Sequence, residues 1–125
     1  LENYKLQKIT ILKFNWCKRW GSLGFYHDYP YLSHDAAEFL VKSGVHLLAM
    51  DTPSPDASRM DSKQILNTDE DSPIHKFLLN KGVIIVEYLA NLDKIHDYND
   101  CNGIFFPLKI QGSDGSPIRA CIFKG

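Results

Sequence analysis

The stretch "SPIHKFLLNKGVIIVEYL", residues 72–89, is the most informative about the fold because it contains a complete connection from a helix to a strand. Ser72 followed by Pro73 is typical of a helix start, with a side-chain oxygen at the N-cap and proline at the first helical position. The helical pattern of "IHKFLLN" ends at Gly82, which fits a C-cap glycine. "VIIVE", residues 83–87, then reads as a buried strand.

The same alternation of strand and helix occurs earlier in the chain. "KITILKFN", residues 8–15, is rich in β-branched residues and predicts a strand. Ser33 fits an N-cap for the helix "HDAAEFLVKS", residues 34–43, and Gly44 fits its end. "VHLLAM", residues 45–50, predicts a second buried strand.

Two further strands follow at the C-terminal end, "GIFFPLKIQ" at 103–111 and "PIRACIFK" at 117–124. Asp114-Gly115 between them is a strong hairpin signal. The order of elements predicts an α/β fold, with a mixed β-sheet and two helices, in a single domain over residues 1–125. Two short helices do not cover both faces of five strands, so we expect either a partner on one face or a missing part of the domain.

Composition excludes several classes of partner. The 125 residues carry a formal net charge of −1 with no basic block, so we expect no binding to nucleic acid. The longest apolar run, "VIIV" at 83–86, is too short to cross a bilayer, and we expect no membrane association.

The three cysteines favour neither a disulfide framework nor a zinc finger, because their number is odd and they lack C-x-x-C spacing. They favour a reducing compartment such as the cytoplasm, although the compartment is otherwise open. The chain begins with Leu1 and goes almost directly into a predicted strand, so we expect a processed chain or a fragment.

Two long loops are predicted, and long loops in compact domains are usually functional or disordered. The first, residues 16–32, contains six aromatic residues, which argues against disorder. The second, residues 52–72, is polar and contains two prolines and the acidic run "DEDS".

His75 and Glu87 are expected to lie at the same edge of the sheet. The helix rises roughly 9 Å from His75 to its end, and the strand returns over roughly 16 Å. Because the two elements run antiparallel, the start of the helix lies near the end of the strand, where α/β proteins place their sites. Asp51 leaves the preceding strand in the same way and is a further candidate for this edge.

The position of His75 in the first helical turn favours a neutral imidazole, because the positive end of the helix dipole lies there. A neutral imidazole suits a metal ligand or a general base. Two alternatives stay open, since His75 and Glu87 could be unrelated surface residues or could pair as a structural bridge.

Four segments together resemble the C-terminal half of the cyclase-like metal-dependent hydrolases, a family that includes bacterial-type kynurenine formamidases and isatin hydrolases. They are "WCKRWG", "LSHDAAEFLVKSGVHLLAMDTPSPD", "HKFLLNKGVIIVEYLANLD" and "FPLKIQGSDGSPIRACIF". The resemblance implies a swivelling β/β/α-type domain, apparently incomplete at its N-terminus and usually dimeric. It also implies that His75 and Glu87 either bind a second metal ion or act as catalytic groups beside a single one.

The same resemblance makes Trp16 and Trp20 candidates for the substrate-binding wall, together with Phe25 and Tyr26. Hydrophobic packing within the loop is the alternative for these four aromatic side chains.

The family's main metal motif, His-x-Gly-Thr-His-x-Asp-x-Pro-x-His, is absent from these 125 residues. A catalytic metal site needs about three protein ligands, and this chain offers two. We therefore expect part of a hydrolase that cleaves an amide-type C–N bond, in an arylformamide or a cyclic amide, and that is inactive alone. Zinc or manganese would bind only together with the missing N-terminal ligands.

The expected partners are a small-molecule substrate and either a second copy of the chain or the missing half. The alternative function is that of a catalytically inactive binding or structural domain that acts through an exposed face of its sheet.

Overall fold

A computed structural model describes residues 6–58, 71–96 and 101–124 of the chain. The chain divides into two compact units, Leu1–Asp93 and Lys94–Gly125, and each is described separately. The expectation of one domain over the whole chain stays a prediction.

The first unit contains a three-stranded parallel sheet in the order β1-β2-β3. The strands are β1 (Ile9–Leu12), β2 (Leu47–Met50) and β3 (Ile84–Val86). Helix α1 (His34–Lys42) connects the first two strands, and helix α2 (Pro73–Asn80) precedes the third. Strand β2 lies in the centre, so the carboxyl ends of all three strands lie at one edge.

The first helix begins as the sequence predicts. The Ser33 hydroxyl accepts a hydrogen bond from the backbone N–H of Ala36 at 3.2 Å, and Asp35 lies in the first turn. Gly44 follows the helix with a φ of 78°, a conformation that glycine adopts without a Cβ clash.

The core lies between the sheet and the two helices. Leu40, Leu48 and Leu78, from α1, β2 and α2, are each 0% exposed. Burying a leucine side chain stabilises the folded state by roughly 1.5–3 kcal/mol relative to leaving it exposed. The remaining buried members of this cluster are Leu32, Ala37, Val45, Met50, Ile74 and Val83.

The second unit is a β-hairpin. Strands β4 (Cys101–Pro107) and β5 (Ile118–Lys124) pair antiparallel, from Cys101 opposite Lys124 to Pro107 opposite Ile118. The hairpin confirms the predicted pairing, but β4 ends at Pro107 rather than at residue 111. Residues 108–117 therefore form a longer connection than the Asp114-Gly115 signal predicts.

The predicted α/β class with two helices is confirmed for the described residues, which contain both parallel and antiparallel strands. These strands are divided between two sheets, since β4 and β5 pair with each other and not with β1–β3. The predicted second loop is described at 52–58 and 71–72, and its residues 59–70 lie outside the described part. None of the described helices is long and apolar enough to cross a membrane.

Candidate functional site

The candidate site lies where β3 ends and α2 begins. Nε2 of His75 lies 3.2 Å from Oε1 of Glu87. The structure thus brings together the two residues that the antiparallel helix-to-strand geometry predicts as neighbours. Their catalytic and metal-binding roles stay predictions.

Asp56 is a third member of the site that sequence reasoning missed. Its Oδ1 accepts a hydrogen bond from the backbone N–H of Ile74 at 2.6 Å. Its Oδ2 accepts one from the backbone N–H of His75 at 3.1 Å and lies 2.6 Å from Nδ1 of the same residue. Asp56 is 5% exposed, so this carboxylate depends on these donors rather than on water.

The N-cap function of Ser72 was predicted, and this prediction is wrong. Ser72 has φ 54° and ψ 52° and makes no side-chain capping bond; its hydroxyl instead donates to Oδ1 of Asp71 at 3.1 Å. Asp56 provides the acceptor, because a buried carboxylate binds two helix N–H groups more strongly than one hydroxyl does. Pro73 at the first helical position is confirmed.

The loop that carries Asp56 is held by hydrogen bonds on both sides of the carboxylate. The Ser54 hydroxyl accepts from the backbone N–H of Asp56 at 3.1 Å, and the Thr52 hydroxyl donates to the carbonyl of Ser54 at 3.2 Å. The carbonyl of Pro55 accepts from the backbone N–H of Leu32 at 2.9 Å. The sequence "DTPSPD" contains a signal that could have identified Asp56, because an acidic residue follows two prolines at the end of a buried strand.

The two carboxylates determine the charge of the imidazole. The contact with Asp56, followed by that with Glu87, raises the pKa of His75 to about 9, although burial acts in the opposite direction. The expectation of a neutral imidazole is therefore wrong for this arrangement. Two carboxylates in direct contact outweigh the partial positive charge of the helix N-terminus.

Glu87 has an oxygen that is available for a further interaction. Oε1 is buried and has no hydrogen-bond partner among the described residues, so its 3.2 Å contact with His75 is an ion pair without an aligned N–H. Buried carboxylate oxygens are normally satisfied, and an exception calls for an explanation such as a bound ion or substrate.

An aromatic cluster adjoins Glu87. Tyr88 follows Glu87 with a φ of 58°, and its ring lies 6.2 Å from that of Trp20 in an edge-to-face arrangement. Trp20 also packs against Phe25 at 4.9 Å and is 66% exposed. Burial, and then the charge of Glu87, raise the pKa of Tyr88. Trp20 thus presents an exposed aromatic surface near the site.

Trp16 has a different environment. It is 7% exposed, its indole N–H donates to the carbonyl of Phe25 at 2.9 Å, and the Arg19 guanidinium lies 4.4 Å from its ring centroid. This burial corresponds to the alternative of hydrophobic packing within the loop. Contact of Trp16 or Trp20 with a substrate stays a prediction.

Asp51 follows β2 at this edge of the sheet, but its carboxylate bonds the segment after β1. Its Oδ1 accepts from the backbone N–H of Phe14 at 2.8 Å and its Oδ2 from that of Cys17 at 3.4 Å. Asp51 is 0% exposed, and these bonds fasten the segment after β1 to the end of β2.

His75 and Glu87 fit one side of a metal site. Two ligands of a tetrahedral zinc ion lie roughly 3.3 Å apart, close to the observed separation of 3.2 Å between Nε2 and Oε1. A metal-bound histidine usually donates its other ring N–H to a carboxylate, the place that Asp56 occupies. Within the described ranges, no group of three or more His, Cys, Asp or Glu residues could hold a metal ion by itself.

Comparisons with known proteins show which proteins the chain is similar to. Residues 2–57 match the model of the Cyclase family, described as a putative cyclase. Over 122 residues the chain is 32% identical to a kynurenine formamidase of Bacillus cereus, covering 98% of this chain and 53% of the relative. The kynurenine formamidase of Bacillus mycoides matches with the same identity and coverage. The chain thus spans about half the length of the curated relatives it matches.

A solved structure shows the same fold. The crystal structure of an isatin hydrolase bound to the product analogue thioisatinate matches with a TM-score of 0.73 and 26% identity. The match covers 92% of this chain and 45% of that one. In sequence and in fold, the chain is therefore similar to part of the cyclase-like proteins.

Proposed function

We propose that this chain is part of a metal-dependent hydrolase that cleaves an amide-type C–N bond, in an arylformamide or a cyclic amide. The observation that carries the proposal is the continuous array of Asp56, His75 and Glu87, with Asp56 on one ring nitrogen and Glu87 facing the other. The relatives named kynurenine formamidase and isatin hydrolase support this substrate class.

In the first of two arrangements, Nε2 of His75 and Oε1 of Glu87 would hold a divalent cation, zinc or manganese. When bound, such an ion polarises the substrate carbonyl and lowers the pKa of a water molecule. Asp56 would hold the ring through Nδ1, and the remaining ligands would come from outside the described residues. Oε1 of Glu87, which has no hydrogen-bond partner among the described residues, fits this arrangement.

In the second arrangement, His75 and Glu87 move protons beside a metal ion that other residues hold. With a pKa of about 9, the His75 imidazole carries a proton at neutral pH that it can donate to the departing amide nitrogen. The Glu87 carboxylate can accept a proton from the attacking water. The two arrangements exclude each other, because Nε2 cannot hold a proton and a metal ion together.

The exposed ring of Trp20, with Tyr88 beside it, would give an aromatic substrate a surface to pack against. Trp16 would support that surface from within the loop, because its indole N–H holds the carbonyl of Phe25, the residue against which Trp20 packs.

The test uses the protein in its native assembly, purified through a tag on this chain and supplied with zinc or manganese. Hydrolysis of formanilide and of isatin is measured for the wild type and for the His75→Gln and Glu87→Gln variants. We expect at least one substrate to be cleaved, and turnover to fall by roughly 10²-fold or more in both variants.

Two matched controls repeat the same changes on α1, where His34 and Glu38 lie 3.9 Å apart on the exposed surface. His34→Gln and Glu38→Gln should leave turnover unchanged. Hydrolysis of neither substrate by the loaded assembly, or full activity in His75→Gln, would contradict the proposal. Turnover by the isolated chain would contradict the expectation that ligands come from elsewhere.

A second candidate is a binding role for the hairpin of the second unit. Its alternation places Ile104, Phe106 and Phe123 on one face, and these side chains are 40%, 57% and 46% exposed. We propose that a second copy of the chain covers this face, so loss of its aromatic rings should reduce self-association.

A further inference from the structure

Asp56 accepts more hydrogen bonds from α2 than an N-cap requires. The backbone N–H groups of Ile74 and His75 satisfy the capping function, since each donates to one carboxylate oxygen. The third contact, 2.6 Å from Oδ2 to Nδ1 of His75, joins the side chains directly. A capping role alone does not account for this third contact.

The third contact determines how the imidazole is presented. A carboxylate accepts hydrogen bonds and does not donate them, so Nδ1 carries the proton in this pair. The ring is then held with Nε2 toward Glu87, 3.2 Å away. Without Asp56, rotation about the side-chain bonds could turn either nitrogen toward Glu87.

We propose that Asp56 is the positioning residue of the site, which fixes the His75 ring with Nδ1 protonated and Nε2 facing Glu87. The catalytic meaning of this inference rests on the proposed function. The positioning itself does not, because it concerns only the orientation and the proton of one ring.

The surroundings of Asp56 suit this role. Proline residues on both sides of Ser54 restrict the loop, and the Ser54 hydroxyl holds the backbone N–H of Asp56 at 3.1 Å. Ser54 also makes a side-chain hydrogen bond with Tyr29, whose pKa is raised to about 12, chiefly by burial. A carboxylate on a restricted, buried loop can hold a ring orientation that a mobile surface residue would not.

Asp51 provides a matched control in the same chain. Both aspartates lie at or after the end of β2, both are buried, and both accept two backbone N–H groups from another segment. Only Asp56 also contacts a histidine ring. A substitution that removes the carboxylate should therefore affect His75 at position 56 and not at position 51.

The test is ¹⁵N NMR of the histidine rings in the wild type, in Asp56→Asn and in Asp51→Asn. In the wild type we expect an Nδ1–H proton of His75 shifted far downfield and protected from exchange with water. Asp56→Asn replaces the carboxylate by a neutral amide, whose oxygen is a weaker hydrogen-bond acceptor for the ring, so the Nδ1–H signal should disappear or move upfield. Asp51→Asn should leave this signal unchanged.

The wild-type measurement needs no variant, so the inference stays testable even if Asp56→Asn does not fold. A His75 ring without a protected Nδ1–H in the wild type would overturn it. So would an Nδ1–H signal that keeps its position in folded Asp56→Asn, or one that changes equally in Asp51→Asn.

A second measurement separates this inference from the proposed function. Zinc affinity of the native assembly is measured by competition with a chelator, and Asp56→Asn should weaken it about 10–100-fold. If the ring signal responds to Asp56→Asn while zinc affinity does not, positioning is supported and a metal-ligand role of His75 is contradicted.

Discussion

Nε2 of His75 and Oε1 of Glu87 lie 3.2 Å apart, although the two residues belong to different segments of the chain. The contact joins the start of α2 to the end of β3 and places the cationic imidazole against the Glu87 carboxylate. Oε1 of this carboxylate is buried and has no hydrogen-bond partner among the described residues. Two carboxylates, Asp56 and Glu87, thus share one imidazole. The charge of this ring therefore contributes to the stability of the fold.

The His75 ring should make stability depend on pH. Its pKa of about 9 in the folded state lies above the ordinary value of 6.5, so the folded state binds the proton more tightly. The contribution is fully present below pH 6.5 and is lost as pH rises through about 9. We expect the free energy of unfolding to fall by about 2 kcal/mol over this range. This value already includes a reduction for solvent screening, because the His75 side chain is 28% exposed.

Urea denaturation at a series of pH values measures this effect, with His75→Gln as the control. The variant should lack the decline between pH 6.5 and 9 that the wild type shows. Equal pH dependence in both proteins would mean that His75 is not the responsible group.

The start of α2 should depend on Asp56 and not on Ser72. Asp56→Ala removes the acceptor of two backbone N–H groups and of the His75 ring, and should lower the free energy of unfolding by about 2–4 kcal/mol. Ser72 makes no capping bond and has a φ of 54°, so Ser72→Gly should be neutral or slightly stabilising. Chemical denaturation compares the two, and a larger loss in Ser72→Gly would contradict the observed capping.

The reactivity of Cys17 should report on Asp51. Burial, and next the negative charge of Asp51, raise the pKa of the Cys17 thiol. Asp51→Asn removes the charge and should lower this pKa, which increases alkylation by iodoacetamide at pH 8 by roughly two- to tenfold. All proteins compared carry Cys101→Ser and Cys121→Ser, so that Cys17 is the one thiol that can be alkylated. Asp93→Asn, a more weakly acting charge, should have a smaller effect.

The full pH profile of this rate distinguishes the charge effect from opening of the loop. A lowered pKa shifts the profile to lower pH and leaves the plateau rate of the thiolate little changed. An increase in the plateau without a shift would show that Asp51→Asn exposes Cys17 instead.

The apolar face of the hairpin should drive association of the chain. Phe106→Ser and Phe123→Ser remove exposed aromatic rings from one face, so they should reduce self-association with little effect on the first unit. Sedimentation velocity over a range of concentrations measures the change. Leu23→Ser is the control, because Leu23 is 100% exposed and lies outside the hairpin. A monomeric wild type, or equal effects of Leu23→Ser, would contradict this role of the face.

Local sequence signals correctly predicted those structural features that depend on residues close together in the chain. Ser33 and Gly44 bound α1 as predicted, because capping and left-handed glycine conformations depend on neighbouring residues. The proximity of His75 and Glu87 was also predictable, since a helix and the next strand must run antiparallel when one short turn joins them.

Local sequence signals gave wrong predictions where a residue distant in the chain makes the interaction that a nearby residue was expected to make. Ser72 has the sequence features of an N-cap, but the acceptor comes from Asp56, which lies at a distance in the chain. The dipole argument for a neutral His75 failed for the same reason, because the two carboxylates that hold its proton come from separate segments.

The α/β class, the bounds of α1 and the pairing of His75 with Glu87 could all be derived from the order of residues alone. They follow from the period of apolar residues, from capping chemistry and from the fixed rise of helix and strand. Three features could be identified only from the folded chain. Asp56 completes the array with His75 and Glu87, and Asp51 bonds the segment after β1 rather than this array. The His75 imidazole is charged. Hydrogen bonds and charges act through space, so they depend on which loops the fold brings to one edge of the sheet.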